Sequence, residues 1–220
     1  HIIKEDPNHL NSFTNVGFQS YFVQNDEVHE MEKMFFETFR LGDFRKNIEE
    51  AEPFLRNSDL ISFDLSSVRH SDAPSVVSPS PNGLFSHEAC ILSRYSGMSD
   101  RVSSFGIFEI DNETDLNNQT SNLISQILWY FFEGFSLRIG DYPSKKTILK
   151  NFTKYVVPID DEDFQFIFYK SKLSGRWWIS SSTSQVIKSK REIILPCSYQ
   201  DYIDSVEGKI PSRMMRMLKV

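Results

Sequence analysis

Apolar and polar positions change period several times along the chain. Ser12 to Val23 alternates and is rich in Phe, Val and Tyr, which predicts a strand running into a loop at Gln24-Asn25-Asp26. From Val28 to Phe39 the period lengthens. Met31, Met34, Phe35 and Phe39 fall at helical spacing, and Leu41-Gly42 supplies the stop, with Gly42 as the C-terminal cap. A second short helix is predicted over Phe44 to Phe54, its acidic run Glu49-Glu50-Ala51-Glu52 forming a solvated face. Upstream, Ile2 to Leu10 reads as a helix end closed by Pro7 and Asn8.

The middle of the chain alternates strand and helix. Ile61 to Leu65 reads as a short buried strand, and Ser86 to Ser96 as a helix capped by Ser86, with Glu88 in its first turn. Val102 to Ile110 is a second buried strand. Leu116 to Phe135 is a long helix with Leu123, Ile124, Ile127, Leu128, Phe131 and Phe132 on its inner side. Strand–helix–strand–helix with short connections predicts parallel strands in an α/β layer. After Tyr142-Pro143 the pattern changes. Lys145 to Pro158 reads as a connector. Phe164 to Tyr169 and Arg176 to Ser180 read as a hairpin around Ser174-Gly175, and Tyr199 to Val206 as a short helix. In that hairpin Trp177 and Trp178 face opposite sides, one in the core and one against a neighbouring element or partner.

Composition narrows the function classes. The chain has 220 residues, 40% of them hydrophobic, and 19 are Phe, enough for one sizeable aromatic core. A net charge of −6 without a basic block argues against nucleic acid and anionic membranes as partners. Cys90 and Cys197 form neither a metal motif nor a disulfide framework, which suits a reducing, cytoplasmic setting, with Cys90 buried and inert. The longest apolar run, Ile127 to Phe135, is too short for a membrane span and is broken by Tyr130 and Glu133. The opening His1-Ile2-Ile3-Lys4-Glu5 reads like the middle of a helix, as expected of a piece of a longer protein.

Candidate chemistry gathers after the first buried strand. Asp64 is its last polar position, and a carboxylate at the carboxyl end of a buried strand lies where open α/β sheets place ligands. Asp64 equally suits a bland role, anchoring loop amides at a strand end. The following loop to Glu88 is dense in turn formers, so it is shaped. His70 and His87 lie near the mouth, but no second ligand stands at metal spacing, and loop histidines are most often surface residues.

Laid out without a gap, Ser62, Asp64, Ala73-Pro74, Pro79, Pro81, Gly83-Leu84 and Glu88 resemble the signature of the arginase–agmatinase–formimidoylglutamase (ureohydrolase) family. That signature has a strand ending Ser-x-Asp-x-Asp, then Asp-Pro, Ala-Pro, a Pro two residues before Gly-Gly-Leu, and a Glu four residues on. This chain departs from it at Ser66, which stands at the second metal-binding Asp, at Arg69-His70 for Asp-Pro, and at Asn82 for the first Gly. Further on, Glu109 and Asp115 match a Glu-x-x-Pro-x-x-Asp whose Pro is here Asn112. The tail, with Phe168-Tyr169-Lys170-Ser171, Arg176-Trp177-Trp178 and Pro196-Cys197-Ser198-Tyr199, is similar to that of an arginase-like subgroup of Bacteroidetes.

The resemblance implies the C-terminal half of a three-layer arginase-like α/β fold with a parallel sheet over residues 1–143. A hairpin-and-helix extension over 144–220 would pack on it. The family hydrolyses linear amidines with a hydroxide held between Mn²⁺ ions bound by two His and four Asp. Of those ligands only Asp64 is visible here, and Ser66 is a neutral hydroxyl in place of its partner. Glu109 would contact the amidine end of the substrate, or only anchor a loop. Asp72 would substitute for a lost carboxylate, or cap a turn. Pro74, Gly83, Glu88 and Asp115 would shape the site. The expected partners are a small amidine substrate, the N-terminal half of the same protein, and a second copy or another protein bound through the extension. Two functions stay open: a Mn²⁺-dependent amidine hydrolase of the formimidoylglutamate or agmatine/arginine type, and a non-catalytic descendant retained as a scaffold. A generic interaction domain built on the aromatic tail is a third.

Overall fold

A computed structural model describes residues 10, 12–34, 36–115, 117–159, 161–182, 193–211 and 213–214. The predicted helix end at Ile2 to Leu10 lies almost wholly outside them. Strand β1 (Thr14–Phe18) is followed by helix α1 (Asn25–Lys33) and strand β2 (Glu37–Arg40), which pairs in parallel with β1. The single helix expected over Val28 to Phe39 is therefore two elements. Phe39 belongs to a strand because it pairs opposite Val16 of β1 and packs against the core, its ring 4.8 Å from Phe54. Left without that stripe, α1 buries no residue. Tertiary pairing has overridden a helical period.

Gly42 is not a cap. It lies inside helix α2 (Leu41–Lys46), and the stop comes at Asn47, whose extended backbone (φ −151°, ψ 77°) breaks the expected Phe44 to Phe54 helix. A 3₁₀ turn (Ile48–Glu50) and helix α3 (Ala51–Asn57) follow. Nor is the acidic run wholly solvated, since Ala51 is buried and the Glu52 side chain is only 18% exposed, next to Arg56.

Strand β3 (Leu60–Asp64) pairs in parallel with β4 (Ser104–Phe108), Asp64 standing opposite Phe108. Helix α4 (Ser86–Gly97) connects them, and helix α5 (Gln119–Ser136) packs on α4. Leu123 and Ile127 are buried, and Phe131 stacks on Phe105 at 4.6 Å. Leu128 and Phe132, expected on the inner side, are exposed, because the buried stripe of α5 is narrower than its apolar content. Where α4 and α5 cross, glycine meets backbone. A Cβ on Gly97 would stand 2.9 Å from the Phe131 carbonyl carbon, and one on Gly134 3.0 Å from the Met98 nitrogen. Ser93 Oγ donates to the Ile127 carbonyl at 2.6 Å across the same crossing. A single core of Phe63, Leu65, Val68, Leu84, Leu92, Leu123 and Ile127 joins strands and helices in an α/β arrangement.

Beyond α5 the chain builds an antiparallel sheet. After a short helix α6 (Ile148–Asn151), strands β5 (Phe152–Ile159), β6 (Asp161–Ser171), β7 (Trp177–Ser182) and β8 (Ile194–Cys197) pair in chain order, and helix α7 (Tyr199–Val206) follows. The β6–β7 hairpin turns at the expected place. Lys145 to Pro158, expected as a connector, contains β5, since Tyr155 and Val157 pack their alternate face on Phe166 and Phe168. Trp177 and Trp178 face opposite sides, and both are core. Trp177 joins Phe166, Phe168 and Ile179, whereas Trp178 joins Phe152 and Tyr169. Among the described residues, no helix is long and apolar enough to cross a membrane.

Candidate functional site

The site expected from sequence lies where β3 and β4 end side by side. The chain leaves β3 at Asp64 into a 3₁₀ turn (Leu65–Ser67). Leu65 and Val68 are fully buried and pin that turn to the core, while Asp64 is exposed. Asp64 Oδ1 accepts the Ser66 N–H at 2.8 Å and the Ser66 hydroxyl at 2.7 Å. Ser66 thus donates to the carboxylate beside which a second acid was expected. Glu109 follows directly on the residue opposite Asp64, so the two acids sit on adjacent strand ends. Its backbone adopts φ +69°, uncommon for a residue with a Cβ. The turn is held by the loop alongside: Val77 N–H donates to the Glu109 carbonyl at 3.3 Å, and Asp111 N–H to the Ser75 carbonyl at 3.0 Å.

The loop between β3 and α4 is laced to itself. Arg69 N–H donates to the Leu84 carbonyl at 3.0 Å, Leu84 N–H to the Ser67 carbonyl at 2.7 Å, and His70 N–H to the Ser80 carbonyl at 2.7 Å. Gly83 is buried where the two loop strands touch. A Cβ there would stand 2.6 Å from the Ser67 carbonyl oxygen, so backbone packing requires glycine. Ala73 is fully buried beside Pro74, which fixes the turn before Ser75; the Ser75 N–H donates to Thr120 Oγ1 at 3.0 Å. His70 and His87 are both exposed.

The remaining acids hold helix ends. Asp72 Oδ2 accepts the Ser86 N–H and hydroxyl, both at 2.8 Å, while Oδ1 accepts Arg69 Nε at 2.7 Å. Ser86, expected as the cap of α4, is its first residue, and Asp72 does the capping from across the loop. Burial by itself would raise the Asp72 carboxyl. The hydrogen bonds from Ser86, Arg69 and Ser71 outweigh it and bring the pKa from 3.8 to about 2. Glu88 is buried, and its Oε2 accepts the Phe85 N–H at 2.7 Å, closing the same helix end. Asp115 accepts the Ser121 N–H at 2.9 Å and the Thr120 N–H at 3.1 Å at the start of α5, and the Ser121 hydroxyl beside it lowers its pKa first among several donors.

Two arginines matter more than the sequence reading allowed. Arg45 pairs with Glu88 (Nε to Oε1, 3.0 Å) and also donates to the Gly83 carbonyl. Arg69, which replaces an expected Asp, pairs with Asp72. Both guanidinium groups lie over the Phe85 ring, at 4.1 Å and 4.3 Å from its centroid. No sequence motif marked Arg45. Its signal is structural, a helix-borne cation facing the acid in the first turn of α4.

For a dinuclear metal centre the donor set falls short. Asp64 has one oxygen filled by Ser66, and Asp72, Glu88 and Asp115 are committed to helix ends. Among the described residues, no group of three or more His, Cys, Asp or Glu side chains is arranged to hold a metal ion. The described residues by themselves do not make up such a centre.

Residues 2–133 match the family model described as the arginase family. Over 85 residues the chain is 33% identical to the formimidoylglutamase of Staphylococcus haemolyticus, an alignment covering 38% of this chain and 27% of that one. The Trypanosoma cruzi formiminoglutamase solved with Mn²⁺ superposes with a TM-score of 0.53 at 21% identity, over 58% of this chain and 44% of that one. The Bacillus subtilis formimidoylglutamase does so with a TM-score of 0.51 at 21% identity, over 57% and 42%. The chain spans less than half the length of these relatives, and the shared fold is arginase-like. On the match that covers residues 2–133, more than half of its length, the chain belongs to the arginase family.

Proposed function

We propose that this chain is a divergent ureohydrolase, descended from hydrolases of linear amidines of the formimidoylglutamate or agmatine/arginine type, whose own strand-end site now serves as a scaffold. The carrying observation is the Asp64–Ser66 pair. A carboxylate that coordinates a cation must offer free lone pairs. Here Asp64 Oδ1 receives both donors of the residue that stands in place of the second acid, which leaves Oδ2 as the oxygen open to a cation, and one monodentate acid does not bridge two ions. A neutral hydroxyl adds no charge to offset a dication. The neighbouring acids stabilise positive helix ends instead, so in this reading they hold the loop rather than a metal.

A second reading is supported by the openness of the mouth. Asp64 and Glu109 remain exposed on adjacent strand ends. In that reading Asp64 is one Mn²⁺ ligand, Glu109 faces the amidine, and the other ligands come from the N-terminal half of the same protein. The deciding experiment is elemental analysis of the native full-length protein purified with added Mn²⁺, followed by assay of urea and formamide release over linear amidines. The scaffold reading expects no retained Mn²⁺ and no release. Two tightly held ions per chain, with turnover of any amidine, would overturn it in favour of the hydrolase.

A further inference from the structure

Parallel sheets are normally covered on both faces, because their crossover helices lie on either side. The β3–β4 sheet is covered on one. Ile61 and Phe63, paired with Phe105 and Ile107, face the helix layer, where the Phe105 ring stacks on Phe131 of α5. On the other face Leu60, Ser62 and Asp64 stand opposite Ser104, Gly106 and Phe108. All but Gly106 are exposed, Leu60 by 67% and Phe108 by 53%. The Phe108 ring lies over Gly106, where a Cβ would stand 2.6 Å from it. Among the described residues β4 pairs with β3 alone, so its outer edge is open.

Helix α5 is bare in the same way. Ser121, Ser125, Leu128, Phe132 and Phe135 recur at helical spacing as an outer stripe, with Trp129 beside it and no charged side chain within it. Trp129, Phe132 and Phe135 are each more than half exposed. These three rings alone open roughly 300 Å² of apolar surface, as much as the largest patch on many whole monomers.

The two bare faces lie on opposite sides of one layer and flank the open edge of β4. A partner docked on α5 alone, a second copy included, leaves Leu60 and Phe108 wet. A body that continues the sheet past β4, with helices on both of its faces, covers the edge and both faces at once. We propose that this body is the polypeptide preceding residue 1 in the same protein. It adds a strand to the edge of β4, lays one helix against Leu128, Trp129, Phe132 and Phe135, and another against Leu60 and Phe108. The chain spans less than half the length of the relatives described above, which is room enough for such a body. The uncharged aromatic stripe of α5 is then core rather than surface. The inference is the same whether or not Asp64 binds a metal.

The test is hydroxyl-radical footprinting of the wild-type full-length protein, read residue by residue by mass spectrometry. It is run at concentrations above and below any self-association seen by sedimentation. Each oxidation rate is scaled to that of the free amino acid. Trp129, Phe132, Leu60 and Phe108 should lose their oxidation to the level of Leu123 and Ile127, which are buried in α5, while Leu149, 91% exposed on α6, stays fast. The loss should be the same in the monomer. Fast oxidation of either pair, Trp129 with Phe132 or Leu60 with Phe108, overturns the proposal. Protection that disappears on dilution also overturns it and assigns the surface to a second copy. No substitution is made, so a misfolded variant cannot mimic either result.

Discussion

Replacing Asp72 by Asn tests whether the acids of this loop are structural. Asp72 accepts from Ser86 through one oxygen and from Arg69 through the other. Asn offers a single acceptor oxygen, so its amide group must face either the Ser86 N–H or the Arg69 guanidinium, donor against donor. The wild-type carboxyl has its folded pKa lowered from 3.8 to about 2. A folded pKa below the unfolded one means that the native state binds fewer protons. The associated stability is full above the unfolded value and is lost as pH falls through the folded one. At about 1.4 kcal/mol per tenfold change in proton affinity, this comes to roughly 2.4 kcal/mol near neutrality. The Asp72 side chain is 9% exposed, so solvent screens it little, but Arg69 is 39% exposed and contributes less than its full pairing. We therefore expect Asp72→Asn to cost about 2 kcal/mol in urea unfolding at pH 7, with the gap to wild type narrowing below about pH 5 and closing only as pH falls through about 2. A cost below about 0.5 kcal/mol, or a gap that does not change with pH, would refute the capping role.

Asp72 also shows how far the sequence could be read. The strand end, the parallel α/β order and the shaped loop follow from apolar runs and turn residues and are present, but the strands are not buried as expected: in β3 only Phe63 is buried, and in β4 no residue is. The choice between replacement ligand and cap at Asp72 turned on where Ser86 lies, and no local pattern gives that. The same limit applies to Phe39. Its helical spacing with Met31 was genuine, but a parallel neighbour at Val16 made a strand the better way to bury it. It applies again to β5, whose Tyr155 and Val157 become legible as strand positions only once β6 supplies the facing Phe166 and Phe168. Arg45 was invisible for a different reason. A lone arginine in an amphipathic stretch carries no signal until its acid is placed in space.

Further outcomes can be stated for neighbouring positions. Gly83→Ala should destabilise by about 1–3 kcal/mol in denaturant unfolding, because the added methyl meets backbone that cannot yield without opening the Arg69–Leu84 hydrogen bond. Arg45→Met should cost about 2 kcal/mol, since it leaves buried Glu88 without its cation; Glu88→Gln combined with it should recover part of that loss in a double-mutant cycle. Ser66→Asp should lower the melting temperature by placing a second carboxylate against Asp64 Oδ1. Under the scaffold reading, millimolar Mn²⁺ does not restore it; full restoration by Mn²⁺ would support the hydrolase.

The glycine contact between α4 and α5 has a mechanical consequence. With Gly97 against Phe131 and Gly134 against Met98, the helices touch backbone to backbone and cannot slide past each other without separating altogether. They should open as one cooperative unit, so their slowest amides should exchange with deuterium at matching free energies. Asp72 grips the first turn of α4 and Asp115 the first turn of α5. Any force that lifts the loop after β3 is thereby transmitted through a stiff two-helix lever to the loop after β4, and the two rims of the mouth move together.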